Sequence, residues 1–214
     1  MPDPSSIEAL RHSPVADLVR RCRLIAILRR VEPQERLLGL VSSLAEDGIR
    51  LFEVTFDSPA AADDLVAVRE RLRDAGMIDP LVGAGTITTI DRLEAATRAD
   101  AAFLIAPTLD VGIIERAVDL GVPVMPGAYS PTEIELAWRA GATFVKVFPA
   151  SSLGPTHIRE LRGPLPEIEM IATGGVDAGN ARSFLAAGCV AIGVGGALVN
   201  GTPDDRRAIV DAAS

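Results

Sequence analysis

Eight short apolar runs, each followed by a stretch of helical spacing, set the strongest limit on how this chain folds. The runs are Leu24–Leu28, Leu51–Thr55, Leu81–Ala84, Phe103–Ala106, Val122–Met125, Phe144–Val147, Met170–Ala172 and Ala191–Val194. Helical spacing occupies Pro33–Glu46, Ala60–Ala75, Asp91–Ala99, Val111–Leu120, Thr132–Ala140, Thr156–Leu161, Ala178–Ala187 and Pro203–Ala213. The unit is about 20 to 25 residues long, the length a right-handed crossover between adjacent parallel strands needs. The pattern predicts an α/β fold, a single (β/α)8 TIM barrel over residues 1–214, with a doubly wound open sheet as the alternative. Ile7–Arg20 predicts an extra N-terminal helix within an arm of residues 1–20, placed to plug the bottom of the barrel. Gly48, Gly121, Gly141 and Gly188 read as the left-handed residues that end helices. Ser130-Pro131-Thr132-Glu133 and Thr202-Pro203-Asp204-Asp205 read as helix starts.

Composition agrees with buried parallel strands and narrows the partners. Aromatic residues make up only 4% of the chain, so Ala, Val, Leu and Ile must fill the core. The net charge of -8 and the absence of any Lys/Arg run argue against nucleic acid and anionic membrane. No apolar run reaches the roughly 18 residues of a membrane span, and the start MPDPSSIEALRHS lacks a secretory apolar core. A cytoplasmic location follows as the expectation, with Cys22 and Cys189 as free thiols. His12 and His157 have no metal-ligand neighbours at useful spacing, so a dedicated zinc site is not expected; the overall expectation is of no cofactor.

Of 21 basic residues only Lys146 is lysine. Arginine cannot lose its proton near neutrality and lysine can. Lys146 sits near the end of the sixth strand run, where a charged side chain is costly unless it is paired or neutral. Desolvation lowers an amine's pKa and frees it to attack a carbonyl, which is the catalytic reading; a structural ion pair is the other. Glu53 lies inside the second strand, and even-numbered strands share layers across a barrel, so the two can meet. A carboxylate beside an amine suits proton transfer; a buried ion pair would also explain it. Thr55 shares the facing of Glu53.

Loops after the seventh and eighth strands carry Thr173-Gly174-Gly175 and Gly193-Val194-Gly195-Gly196. Glycines there let backbone N–H groups converge on an anion, where many TIM barrels bind phosphate, or they make plain turns. Arg29 ends the first strand and can hold an anion through its forked donors or serve as a rim charge. Thr86 ends the third, as ligand or turn cap. Pro107 and Phe148 follow strands four and six, as apolar walls or as core.

Glu53-Val-Thr, Gly83-Ala-Gly-Thr86, Lys146-Val-Phe-Pro-Ala150 and Thr173-Gly-Gly175 resemble the KDPG/KHG aldolase family in order and strand position. The resemblance implies a lyase that cleaves 2-keto-3-deoxy-6-phospho sugar acids to pyruvate and glyceraldehyde 3-phosphate. It implies Lys146 as the Schiff-base lysine and Glu53 as proton shuttle. It places Thr86 on the pyruvate carboxylate, Pro107 and Phe148 along the site, and Gly174, Gly175 and Gly195 on phosphate. It also implies a small-molecule keto-acid substrate, a homotrimer and no metal.

Two positions depart from the family pattern. Asp57 stands where many gluconate-branch members have an arginine for the keto-acid carboxylate. Arg29, in the Ile-Leu-Arg sequence similar to the galactonate branch, is expected to take that role. Gly196 replaces a phosphate-binding serine, which makes a nonphosphorylated substrate conceivable. Ala26-Ile-Leu-Arg29, Asp57-Ser-Pro59 and Ser152-Leu-Gly-Pro155 resemble 6-phosphogalactonate aldolases, whereas Thr55 and Thr173 resemble the 6-phosphogluconate branch. The reading leans to the gluconate epimer. A phosphate-binding barrel isomerase or epimerase, which needs no imine, and a noncatalytic sugar-phosphate-binding barrel are the alternatives.

Overall fold

The computed structural model describes residues 2–77 and 81–214; Met1, the first residue of the expected arm, lies outside them. After α1 (Pro4–Arg11) and α2 (Pro14–Cys22), β1 (Leu24–Leu28) leads to α3 (Gln34–Glu46), β2 (Leu51–Thr55) and α4 (Ala61–Asp74). There follow β3 (Leu81–Gly85), α5 (Ile90–Arg98), β4 (Leu104–Ile105), α6 (Val111–Asp119), β5 (Val124–Met125) and β6 (Gly127–Ala128). The chain continues through α7 (Pro131–Ala140), β7 (Val145–Val147), α8 (Ala150–Arg162), β8 (Met170–Thr173) and α9 (Ala181–Ala186). It ends with β9 (Ala191–Val194), α10 (Gly196–Asn200) and α11 (Pro203–Ala213).

All strand pairs are parallel, in the order β5-β4-β3-β2-β1-β9-β8-β7-β6. The two ends of that order, β5 and β6, are consecutive pieces of one extended run broken at Pro126. Met125 accepts from Ala106 N on one side, and Pro126 and Ala128 accept from Lys146 N and Phe148 N on the other. The sheet therefore closes on itself as the TIM barrel expected, and the open-sheet alternative fails. The fifth strand runs three residues beyond the expected Val122–Met125 because Pro126 lacks an N–H yet keeps an accepting carbonyl.

The N-terminal arm corrects the expectation of one helix over Ile7–Arg20. It forms two helices, because Ser13 caps the second one, accepting from Ala16 N, and Pro14 takes its N1 position. Ala16 and Val19 of α2 then pack with Ile25, Leu51, Phe103, Phe144 and Ile171 in the barrel interior, so the expected plug is present. A second correction concerns α8, which starts at Ala150 rather than Thr156 and is interrupted at Gly154 (φ 74°), just before Pro155. A short helix, α10, had no counterpart in the periodicity. Both proposed helix starts are capping boxes, Ser130 with Glu133 and Thr202 with Asp205. Gly48, Gly121, Gly141 and Gly188 all have positive φ. Among the described residues no helix is long and apolar enough to cross a membrane.

Candidate active site

Strand parity decides which side chains enter the barrel. Ile25, Leu51, Phe144, Ile171 and Ala191 belong to the interior cluster packed on α2. Two residues further along each strand the side chain points the same way. Those positions are Ile27, Glu53, Lys146, Thr173 and Gly193, so both expected catalytic groups enter the next interior layer. Register partners there are small: Gly83 beside Glu53, Gly127 beside Lys146, Gly193 beside Thr173. Gly193 leaves room for the Thr173 side chain, whereas the Phe103 ring takes the space at Gly83 and the Pro107 backbone carbonyl that at Gly127.

Lys146 lines a cavity of about 580 Å³ with Arg29, Phe148, Thr173, Gly174, Gly175, Gly195 and Gly196, which brings these expected site residues together. Glu53, Thr55, Thr86 and Pro107 are not in its lining. Glu53 is buried behind it, with 1% of its surface exposed. Pro107 follows β4, and its backbone carbonyl occupies the space a side chain at Gly127 would need. Sequence reading missed Asp177 and Asn200, which also line the cavity. Asp177 follows the Gly174-Gly175 loop, where the rule about strand ends could have found it. Asn200 ends α10, the helix too short to show a periodicity.

Burial governs the electrostatics of the centre. The Lys146 amine is pulled below the usual lysine range by burial first; Glu53 opposes that shift and Arg29 adds to it. The Glu53 carboxyl is pushed up, again by burial first, against Lys146 and Arg29 and with help from Asp57. Neither Glu53 oxygen has a hydrogen-bond partner. The Lys146 Nζ stands 4.8 Å from the centre of the Phe148 ring. An amine pushed toward neutrality is a nucleophile, and a carboxyl pushed toward protonation can give and retake a proton.

The rim carries a charged network. Arg29 Nη1 donates to Asp57 Oδ2 at 3.1 Å and Nη2 to Thr86 Oγ1 at 3.3 Å. Arg30 Nε lies 3.2 Å from the same Asp57 oxygen, and Thr55 donates its hydroxyl to Asp57 Oδ1 at 2.7 Å. Thr55 is thereby tied into the rim network through Asp57. Although burial pushes the Asp57 carboxyl up, the Thr55 hydroxyl, Arg29 and Arg30 together hold it below the usual carboxylate range. Thr86 has a left-handed backbone, φ 59°, unusual for a β-branched residue. Asp57 continues the facing of Glu53 and Thr55 at two-residue steps, a signal that could have marked it as a member of the site.

Fold and candidate site define a TIM barrel that holds a buried lysine and a buried glutamate on its inner strand faces, beside a cavity. The chain belongs to the KDPG and KHG aldolase family, whose model matches residues 15–210. It is 33% identical over 192 residues to the 2-dehydro-3-deoxy-6-phosphogalactonate aldolase of Escherichia coli K12, covering 89% of this chain and 91% of that one. It is 32% identical over 173 residues to the 2-dehydro-3-deoxy-phosphogluconate aldolase of Haemophilus influenzae, covering 80% and 79%. A solved structure of native KDPGal superposes with a TM-score of 0.79 at 33% identity, covering 88% of this chain and 93% of that one. The protein is accordingly a lyase of the aldolase kind, and the isomerase and noncatalytic readings lose their ground.

Proposed function

We propose that this chain is a class I aldolase that cleaves 2-keto-3-deoxy-6-phospho sugar acids, gluconate epimer favoured over galactonate, to pyruvate and glyceraldehyde 3-phosphate. The observation that carries the proposal is that the chain's only lysine is buried, with a depressed pKa, in the same interior layer as a buried glutamate that has no hydrogen-bond partner. Neutral Lys146 Nζ attacks the C2 carbonyl, and Glu53 supplies the proton on which the carbinolamine loses water. The resulting iminium accepts the electrons of the C3–C4 bond as it breaks, and the C4 hydroxyl gives its proton to the Glu53 carboxylate left by the dehydration step. Aldehyde leaves, the enamine takes a proton at C3 from Glu53, and water releases pyruvate from Lys146. No step calls on a metal or another cofactor.

Arg29 and Thr86 hold the substrate carboxylate, and Pro107 and Phe148 supply apolar walls. Gly174, Gly175, Gly195 and Gly196 present backbone to the phosphate. Gly174 and Gly175 have φ of 90° and 71°, and a side chain at Gly174 would press on the Phe148 ring. Family membership also supports the expectation of one catalytic domain working as a homotrimer in the cytoplasm. The test of the central reading is borohydride reduction in the presence of pyruvate, followed by peptide mass mapping. A stable adduct on the Lys146 peptide is expected; protein that gains none overturns it.

A further inference from the structure

Asp57 belongs to none of the groups that touch a substrate in the scheme above, yet three side chains, Thr55, Arg29 and Arg30, meet at its carboxylate. Its own side chain is 13% exposed, whereas the Arg29 side chain is 51% exposed. An arginine so open to water has many rotamers available, and holding it in one of them has an entropic penalty. Asp57 meets that penalty from a fixed position. One carboxylate oxygen accepts from Thr55, a buried strand residue, and the other faces both Arg29 and Arg30. Arg30 also donates to the Asp57 backbone carbonyl at 3.3 Å.

Consequences reach Thr86 through Arg29. Thr86 Oγ1 accepts from Arg29 Nη2, so its own hydroxyl hydrogen is left to point elsewhere. Arg92 holds the backbone of Thr86 from the other side, donating to its carbonyl at 3.0 Å. The network also has the charge of a receptor: two guanidinium groups on one carboxylate leave one net positive charge, which suits one substrate carboxylate.

We propose that Asp57 is a positioning residue: it anchors Arg29 and, through Arg29, orients Thr86, so that the two together form the receptor for the carboxylate of the 2-oxo acid. This rests on the aldolase reading and adds to it the group that sets its affinity for the acid end of the substrate.

The test is a double-mutant cycle read by the pyruvate concentration that half-saturates borohydride trapping. Asp57→Asn keeps the shape and an oxygen acceptor but removes the charge. It is expected to raise that concentration about 10-fold, the scale of a hydrogen bond to a charged group, while the trapping rate at saturation changes less than about 3-fold. Arg29→Ala is expected to raise it at least as much, and adding Asp57→Asn to Arg29→Ala is expected to change nothing further. Asp57→Ser gives the same readout if Asp57→Asn does not fold. Half-saturation unchanged in both Asp57 variants, or an equal penalty in the Arg29→Ala background, overturns the positioning role. Wild-type protein that traps no pyruvate overturns the Schiff-base reading and this proposal with it, so the two failures are distinguishable.

Discussion

Gly85 leaves empty the space that the Glu53 carboxylate occupies: a Cβ at position 85 would overlap Glu53 Oε1. The two residues come from adjacent parallel strands, where Thr55 is the register partner of Gly85 and Glu53 that of Gly83. Glu53 therefore leans along the barrel toward the rim over a glycine that admits it. Gly85→Ala is expected to displace the carboxylate and lower kcat about 100-fold or more, the low end of what a general acid–base group contributes. Overpacking of this kind destabilises by about 1–3 kcal/mol, so a folded variant is expected. Steady-state kinetics beside a urea melt checks both; a folded Gly85→Ala enzyme of wild-type kcat would separate Glu53 from the chemistry.

Lys146→Arg keeps the charge but offers no free amine near neutral pH. It is expected to lose cleavage and pyruvate trapping together, and residual activity above about 1% of wild type in folded protein would count against the imine, since 1% is the low end of the loss expected for a group in the chemical step. No second lysine exists to rescue it.

Burial of the amine makes a linked prediction about stability. The folded pKa of Lys146 lies below its unfolded value, so the unfolded chain binds more protons between the two and stability rises with pH across that window. The penalty of holding Lys146 is full below the folded pKa and fades toward the unfolded value of 10.5. Lys146→Met, which removes the titration, is expected to melt higher than wild type near neutral pH, by about 2–4 °C for each kcal/mol gained. The advantage should shrink at pH 10. Calorimetric scans at the two pH values measure it, and an advantage that grows with pH would contradict the depressed pKa.

Glu53→Gln keeps the shape of the side chain and removes its proton chemistry. Imine formation with pyruvate is expected to persist slowly, while exchange of the pyruvate methyl protons falls about 10²- to 10⁴-fold. Deuterium uptake followed by NMR reports that exchange directly, and an unchanged rate would assign the proton transfer to another group.

Thr173 is 5% exposed, lines the cavity directly before the Gly174-Gly175 loop, and faces Gly193 across the register. In the proposed binding mode its hydroxyl would lie near the middle of a six-carbon chain, where the two epimers differ. Thr173→Val is nearly isosteric and is expected to lower kcat/KM for the gluconate epimer about 3- to 10-fold, the scale of one net hydrogen bond. The galactonate epimer should be nearly unaffected. Equal losses on both, in a pyruvate-coupled assay, would reduce Thr173 to shaping the loop.

Periodicity alone carried much of this protein. Eight apolar runs at crossover spacing specify parallel strands, and strand parity puts Glu53 and Lys146 inside, because both constraints are local and repeat along the chain. Helix caps at Ser130 and Thr202 are likewise written in three or four consecutive residues. The break at Ser13-Pro14 had the same kind of local signal, but the amphipathic spacing across it masked the cap. Tertiary structure alone decided what depends on partners far apart in sequence. The fifth strand closes the barrel through Pro126 because its carbonyl meets Lys146 N, a pairing no local pattern encodes. Asp57 read as a missing arginine until Arg29, 28 residues earlier, was seen bonded to it. The depressed Lys146 amine and the raised Glu53 carboxyl follow from burial, a property of the whole packed barrel rather than of any motif.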